Sequence, residues 1–230
     1  MNHSNKDLTI IFLTLNNLPK GWEEYHKQVL LEAIGDAELI TISRVPTDMG
    51  KGVNLIQTET PSASNVYWQM LRAAKIATTK YVAVAESDTL YCKDHYQFRP
   101  NPGEFAYNGS HWSLFTIGTP IYGWRNRRGN YSMICEREIL IEALEERFAK
   151  YPNGTPPEKT GEIGRWRTDK LLGVTPRKAI DFYTNNPIIN VNHPFGLDER
   201  ARRNRKTYGS LRAYDIPGWG KAEDLAKKFA

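Results

Sequence analysis

Cysteine is scarce in this chain of 230 residues, which has only Cys92 and Cys135. Two cysteines so far apart match neither a disulfide framework nor a zinc-binding pattern, so we expect free thiols. No apolar run approaches the roughly 20 residues that span a bilayer. The polar segment 1–7 has a single lysine and does not resemble a secretory signal. These absences predict a cytoplasmic protein that does not insert into a membrane.

Several nucleotide-binding and hydrolase signatures are also missing. No Walker loop and no Gly-x-Gly-x-x-Gly fingerprint follows the first apolar run, which argues against a P-loop NTPase and a Rossmann dehydrogenase. The Gly-x-Ser-x-Gly motif of the α/β-hydrolases is absent. So are helix-turn-helix, zinc-finger and RNA-binding aromatic motifs, and an isolated nucleic-acid-binding module is therefore not favoured.

The composition is that of a globular protein with a modest positive charge. Hydrophobic residues make up 40% of the chain and charged residues 25%, which is enough apolar surface for a packed core. The formal net charge of +5 favours phosphate-bearing partners through long-range attraction, but it does not identify them.

Strand and helix patterns alternate in the first half of the sequence. Apolar runs rich in β-branched residues predict strands, and apolar residues at helical spacing predict helices. The predicted strands are 8–13, 39–42, 54–58 and 81–85, and the predicted helices are 22–34 and 64–77. This order predicts a parallel sheet, in which ligands bind beyond the carboxyl ends of the strands.

The second half is less regular. We predict loops and short strands over 98–131, an amphipathic helix over 136–151, a surface loop over 152–165, a strand over 188–192 and a closing helix over 222–229. No repeat and no linker divides the chain, so we predict a single α/β domain over residues 1–230.

An acidic motif directly follows the predicted strand 81–85. Glu86 and Asp88 are separated by Ser87, and alternate side chains of an extended segment point the same way. Their carboxylates could therefore bind one hard cation such as Mg²⁺ or Mn²⁺. A solvated acidic loop is the alternative that the spacing leaves open, because short acidic motifs match often by chance.

The segment around this motif resembles a known family. Residues 65–88 read NVYWQMLRAAKIATTKYVAVAESD, which is similar to GT-A glycosyltransferases of the family 2 type, in which an Ala-rich, donor-contacting helix precedes a strand that ends in a DxD motif. The segment Thr14-Leu15-Asn16 resembles their first nucleotide-contacting loop. The resemblance implies a Rossmann-like GT-A fold, with a central, mostly parallel sheet flanked by helices. It also implies a nucleotide-sugar-binding half (about 1–97) and an acceptor-binding half (about 98–230).

The same resemblance implies a divalent metal site. The chain departs from the DxD pattern at the first acid, where Glu86 stands. In the family the last acid holds the metal more directly, which makes Asp88 the stronger ligand for Mn²⁺ or Mg²⁺. His193, after the late strand, matches a histidine that GT-A enzymes often add as a further ligand. A surface histidine before Pro194 is the alternative.

A nucleotide-sugar donor is the second implied ligand, and a UDP-sugar is favoured. The residues that the resemblance assigns to the donor are Thr14, Asn16, Asn65, Glu86 and Arg200. The last of these lies in a segment that resembles a loop closing over the donor phosphates.

The catalytic base is harder to identify from the sequence. An inverting enzyme needs a base that deprotonates the acceptor hydroxyl, and Glu162 and Asp169 occupy the region where the family has one. Neither stands in the family's Glu-Asp pair; we favour Asp169, with an ordinary surface acid as the alternative for both. A retaining enzyme can do without such a base, so both stereochemical outcomes are compatible with the sequence.

Acceptor binding is predicted from aromatic and basic residues of the second half. Trp112 and Trp124 could stack on a sugar or a base, although core packing is the alternative. The basic run Arg200, Arg202, Arg203, Arg205 and Lys206 is either a solvated face or a site for a polyanion such as DNA. Within it we assign Arg202 and Arg203 to the acceptor, and a modified base in DNA is one candidate acceptor.

These observations predict a metal-dependent transfer of a sugar from a nucleotide-sugar to an acceptor hydroxyl. A nucleotidyltransferase is one alternative, but the Gly-rich basic signature of those enzymes is absent from residues 14–19. A non-catalytic nucleic-acid-binding protein that uses the basic run is another, and it leaves the acidic motif unexplained.

Overall fold

The computed structural model describes residues 4–124, 127–156, 161–193, 209 and 211–229. The strands are β1 (Leu8–Leu13), β2 (Glu38–Ser43), β3 (Val53–Ile56), β4 (Tyr81–Glu86), β5 (Thr89–Leu90), β6 (Glu104–Asn108), β7 (His111–Phe115), β8 (Ile121–Trp124), β9 (Met133–Glu136), β10 (Lys178–Phe182), β11 (Ile188–Asn192), β12 (Leu211–Ala213), β13 (Asp215–Ile216) and β14 (Gly220–Lys221). The helices are α1 (Lys20–Ile34), α2 (Ala63–Ile76), α3 (Lys93–Gln97), α4 (Arg137–Lys150), α5 (Trp166–Leu172) and α6 (Ala222–Lys228), with a 3₁₀ turn over Asn130–Ser132.

A seven-stranded sheet in the order β10-β6-β9-β4-β1-β2-β3 forms the centre of the molecule. Strands β4, β1, β2 and β3 are mutually parallel, and β9 is antiparallel to both of its neighbours. The predicted mostly parallel α/β sheet flanked by helices is therefore confirmed. The sequence could predict these parallel strands because strands buried on both faces have near-continuous apolar sequences.

The two faces of this sheet pack against different helices. Ile11 and Val84 face one core together with Met70 of α2 and Leu144 of α4. Ile10, Phe12 and Ala83 face the other core, which contains Leu30 of α1. Alternate residues of one strand point to opposite faces, so β1 and β4 contribute to both cores.

A second sheet has five strands in the order β12-β8-β7-β11-β5. It packs on a third core, which contains Trp22 of α1 and Leu225 of α6. Strand β5 begins directly after the acidic motif and pairs antiparallel with β11, with Ile189 opposite Leu90. This pairing brings the late strand to the carboxyl end of β4.

The observed elements differ from the expectations mainly in the second half. The segment predicted as loops and short strands contains β6, β7 and β8, and the sequence pattern did not identify α5 or β10. The basic run over 200–206 lies outside the described residues. Among the helices of the described segments, none has the length and apolar character needed to cross a bilayer.

Candidate functional site

A cavity of about 290 Å³ opens at the carboxyl ends of β1, β2 and β4. The amino-terminal part of α2 forms one wall, and the end of β11 forms another. Its polar lining includes Thr14, Gln57, Asn65, Gln69, Glu86, Asp88, Arg127, Asn190, Asn192 and His193. This is the edge of a parallel sheet at which α/β proteins bind their ligands.

The turn after β4 holds the acidic motif in place through its backbone. The Ser87 N–H donates to Leu13 O at 3.1 Å, and the indole of the buried Trp22 donates to Ser87 O at 2.8 Å. Val191 N–H donates to Asp88 O at 2.7 Å. The turn is therefore tied to β1, to α1 and to β11.

Asp88 has two differently engaged carboxylate oxygens. Its Oδ1 accepts hydrogen bonds from Thr89 Oγ1 at 3.1 Å and from Asn190 Nδ2 at 3.2 Å. Its Oδ2 lies 3.4 Å from Nε2 of His193, a side chain that is only 5% exposed. The structure thus brings together Asp88 and the late histidine, two of the residues that the sequence analysis assigned to a metal.

Glu86 adds a second acid to the cavity wall. Burial, together with the negative charge of Asp88, raises the pKa of Glu86 to about 8, although the positive charge of Arg127 opposes both effects. Two acids in one partly dry cavity disfavour each other's ionised form. A cation bound between them would relieve this repulsion.

The donor set fits a divalent cation that keeps substrate ligands. The described residues contain no group of three His, Cys, Asp or Glu side chains placed to hold a metal, so Glu86 does not join Asp88 and His193 in a closed site. Mg²⁺ typically uses one or two carboxylates and completes its shell with water and phosphate oxygens, and Mn²⁺ accepts carboxylate and imidazole ligands. An open pair of one carboxylate and one imidazole matches that requirement.

The five predicted donor residues differ in where they lie. Thr14, Asn65 and Glu86 line the cavity. Asn16 does not, because its amide joins two loops: Oδ1 accepts from Arg44 N–H at 2.9 Å and Nδ2 donates to Thr47 Oγ1 at 3.0 Å. Arg200 lies outside the described residues.

Neither predicted base reaches this cavity. Asp169 is 1% exposed, and its Oδ2 accepts from the backbone N–H groups of Gly164 at 3.1 Å and Arg177 at 3.3 Å. Burial raises the pKa of Asp169. Glu162 pairs instead with Arg165 at 3.0 Å. The carboxylate of Asp169 thus stabilises a loop, and among the described residues neither acid contacts the lining of the cavity.

The predicted acceptor tryptophans also lie away from the cavity lining. Trp112 and Trp124 are cross-strand partners on β7 and β8. Trp112 packs against the third core, and the Trp124 indole donates to Gly109 O at 3.1 Å. These contacts correspond to the packing alternative. Arg202 and Arg203 fall outside the described residues.

Sequence reasoning missed several residues of the cavity lining. Gln69 lies four positions after Asn65 on α2, so helix periodicity could have identified it. Asn190 and Asn192 are alternate residues at the end of β11, directly before His193, and strand periodicity could have identified them together. Gln57 follows β3, at the same sheet edge as the acidic motif. No local signal marks Arg127.

Comparisons with known proteins bear on the fold. No protein-family model and no curated protein matches this sequence. Among solved structures, the inositol-1-phosphate CTP transferase from T. maritima matches with a TM-score of 0.51 at 13% identity, over 98% of this chain and 97% of that chain. The mannosyltransferase PcManGT from Pyrobaculum calidifontis, in complex with GDP-Man and Mn²⁺, matches with a TM-score of 0.47 at 15% identity, over 83% of this chain and 58% of that chain. A glycosyltransferase involved in the glycosylation of the major capsid of PBCV-1 matches with a TM-score of 0.44 at 13% identity, over 80% of this chain and 92% of that chain. The first likeness supports the α/β fold described above.

Proposed function

We propose that this protein is a metal-dependent glycosyltransferase that takes a sugar from a nucleotide-sugar donor. The observation that carries the proposal is the contact of 3.4 Å between Asp88 Oδ2 and His193 Nε2 inside the cavity at the carboxyl edge of the parallel strands. One carboxylate and one imidazole, with a second acid beside them, suit a cation that also binds a diphosphate.

In this proposal six of the residues that line the cavity have a role. Asp88 and His193 hold Mn²⁺ or Mg²⁺. Glu86 contacts the nucleotide, and a bound cation would favour its ionised form beside the metal. Arg127, which lines the same cavity, neutralises charge on the donor phosphates, as does Arg200. Thr14 and Asn65 contact the nucleoside. A bound metal supplies charge stabilisation for the leaving diphosphate.

The acceptor is a hydroxyl group, and a modified base in DNA is one acceptor that we propose to test. The net charge of +5 and the basic run with Arg202 and Arg203 favour a polyanion. DNA affinity that falls with salt by a log–log slope of about 0.9 per phosphate contact would support this acceptor. Neutralising Arg202 and Arg203 should flatten that slope without changing donor hydrolysis.

A nucleotidyltransferase is the second candidate. It is suggested by the T. maritima CTP transferase, which shares the fold over nearly the full length of both chains. Such an enzyme would also place a metal beside nucleotide phosphates, but it would release pyrophosphate from a nucleoside triphosphate rather than a nucleoside diphosphate from a nucleotide-sugar.

Two parallel assays separate the candidates. The protein is incubated with Mn²⁺ and a panel of UDP- and GDP-sugars, and release of the nucleoside diphosphate is measured; in parallel, it is incubated with nucleoside triphosphates and sugar phosphates, and pyrophosphate is measured. Slow, Mn²⁺-dependent hydrolysis of a nucleotide-sugar supports the glycosyltransferase. Pyrophosphate release alone would replace it by the second candidate, and activity in neither assay together with no nucleotide binding would refute both.

A further inference from the structure

Helix α5 has an exposed face in which aromatic, apolar and basic side chains are mixed. Trp166 and Leu171 are 60% and 55% exposed, and Arg167 and Lys170 between them are exposed as well. Asp169 faces the interior of the molecule. Because residues four positions apart lie on the same side of a helix, Trp166 lies next to Lys170, and Arg167 lies next to Leu171. Tryptophan is highly buried on average in folded proteins, so an exposed tryptophan within a basic face indicates a binding surface.

Neighbouring acids do not neutralise the charge of this face. Within the part of the chain that the structure describes, Arg167 and Lys170 form no ion pair. The Lys170 ammonium lies 5.1 Å from the centroid of the Trp166 ring, a cation–π contact that restrains the indole. Glu162, which precedes the helix, is matched by Arg165 at 3.0 Å. The face therefore has two cations that can bind an anionic partner.

Both ends of α5 are tied to the helices that surround the candidate site. The Tyr67 hydroxyl on α2 donates to Gly161 O, in the segment that leads into α5, at 2.7 Å. Val66, its neighbour on α2, lines the cavity. At the other end, the Tyr151 hydroxyl donates to Leu172 O at 3.0 Å. A polymeric acceptor could therefore contact the exposed face of α5 while it occupies the site.

We propose that this face binds an unpaired segment of single-stranded DNA, with a base stacked on Trp166 and with phosphates bound by Arg167 and Lys170. The inference deepens the DNA acceptor of the proposed function and rests on that acceptor, but it concerns a surface separate from the metal and donor cavity. Aromatic side chains stack on the flat face of any base, and basic side chains follow the phosphates of the same strand. Trp166 and the two cations lie side by side on one short helix, as this mode of binding requires.

The mixture of side chains favours a nucleic-acid strand over a membrane surface. A helix that binds a membrane interface separates its apolar face from its basic face. In α5, by contrast, each of the two exposed rows combines one apolar or aromatic residue with one cation. The proposal requires unpaired DNA, because neighbouring base pairs cover the faces of the bases in a duplex and only an unstacked base can stack on Trp166.

The test measures binding of a fluorescently labelled oligothymidylate of about 20 nucleotides, which exceeds the site size of typical single-strand-binding folds. Fluorescence anisotropy gives the affinity between about 50 and 200 mM NaCl. We expect Arg167→Ala/Lys170→Ala to lower the log–log salt slope by about 1.4, because each phosphate contact on a single strand contributes about 0.7. Trp166→Leu should weaken binding about 5- to 150-fold without changing that slope, because it removes stacking but no phosphate contact.

Matched variants separate these effects from general changes in charge and apolar surface. Trp166→Phe keeps an aromatic face and should bind more tightly than Trp166→Leu, whereas an apolar partner would tolerate leucine equally well. Lys75→Ala/Lys93→Ala removes the same positive charge from two lysines elsewhere, whose side chains are 51% and 60% exposed. This double variant should keep the wild-type slope.

Failure of the wild type to bind the oligothymidylate would overturn the inference, and so would wild-type affinity and slope in the α5 variants. Tighter binding of duplex DNA, or binding to phosphatidylglycerol vesicles without binding to DNA, would overturn it as well. If the wild type hydrolyses a nucleotide-sugar with Mn²⁺ but does not bind DNA, the glycosyltransferase stands with a different acceptor. DNA binding through α5 without any such hydrolysis would refute the proposed function and leave this surface standing.

Discussion

Replacing Asp88 by asparagine separates the charge of this side chain from its structural hydrogen bonds. Asparagine retains an oxygen that can accept from Thr89 Oγ1 and Asn190 Nδ2, as Oδ1 of Asp88 does. The new amide nitrogen takes the place of Oδ2, which lies 3.4 Å from His193 Nε2, and it can donate to a neutral imidazole. The substitution thus removes the anionic ligand and little else.

We expect Asp88→Asn to change metal-dependent binding much more than it changes stability. Since the hydrogen bonds at Oδ1 persist, we expect the free energy of unfolding to change by less than about 1 kcal/mol. Removing a residue that hydrogen-bonds to a metal ligand typically weakens metal binding about 10- to 100-fold, and removing the ligand itself should weaken it more. We therefore expect the Mn²⁺-dependent affinity for UDP to fall by at least about 100-fold, or about 2.7 kcal/mol.

The assay is calorimetric titration of UDP with and without Mn²⁺, together with urea unfolding of the same preparations. Asp224→Asn is the matched control, because the Asp224 side chain is 67% exposed and forms a surface ion pair with Lys227 at 3.3 Å; such pairs contribute about 0–1 kcal/mol. If Asp88→Asn binds UDP with the same Mn²⁺ dependence as the wild type, the assignment of Asp88 to the metal is wrong.

Two further predictions concern stability. Gly52 has a φ of +75°, and a Cβ there would lie 2.0 Å from Leu39 O, whereas Gly50 has a φ of +77° and nothing within 4 Å of a Cβ. In urea unfolding we expect Gly52→Ala to lower the free energy of unfolding by about 3 kcal/mol or more and Gly50→Ala by about 1 kcal/mol. Equal losses in the two variants would contradict the backbone clash at Gly52. Burial lowers the pKa of His95 to about 3, so the unfolded chain takes up a proton below pH 6.5 while the folded chain does not, and stability is lost as the pH falls from 6.5 toward 3. The advantage of the wild type over His95→Gln in unfolding free energy should accordingly shrink by about 2 kcal/mol between pH 7 and pH 5, and a difference independent of pH would show that His95 is not held neutral by burial.

Local sequence determined the central part of the fold. The apolar runs of β1 and β4 and the helical spacing of α2 predicted their elements within a few residues. In each segment the apolar positions of the sequence are the buried positions of the structure. The same patterns located Glu86 and Asp88 at the carboxyl end of a buried strand, because the apolar run of β4 ends directly before these acids.

Local sequence patterns did not determine which distant side chains meet these acids; for His193 the family resemblance implied it, and the tertiary structure supplies the contact. His193 lies beside Asp88 because β5 pairs with β11, and this non-local pairing has no signature in either segment. The carboxylate of Asp169 is occupied by backbone N–H groups of Gly164 and Arg177. Contacts of this kind arise only when the chain folds, so a residue's type and its position in the sequence do not predict them.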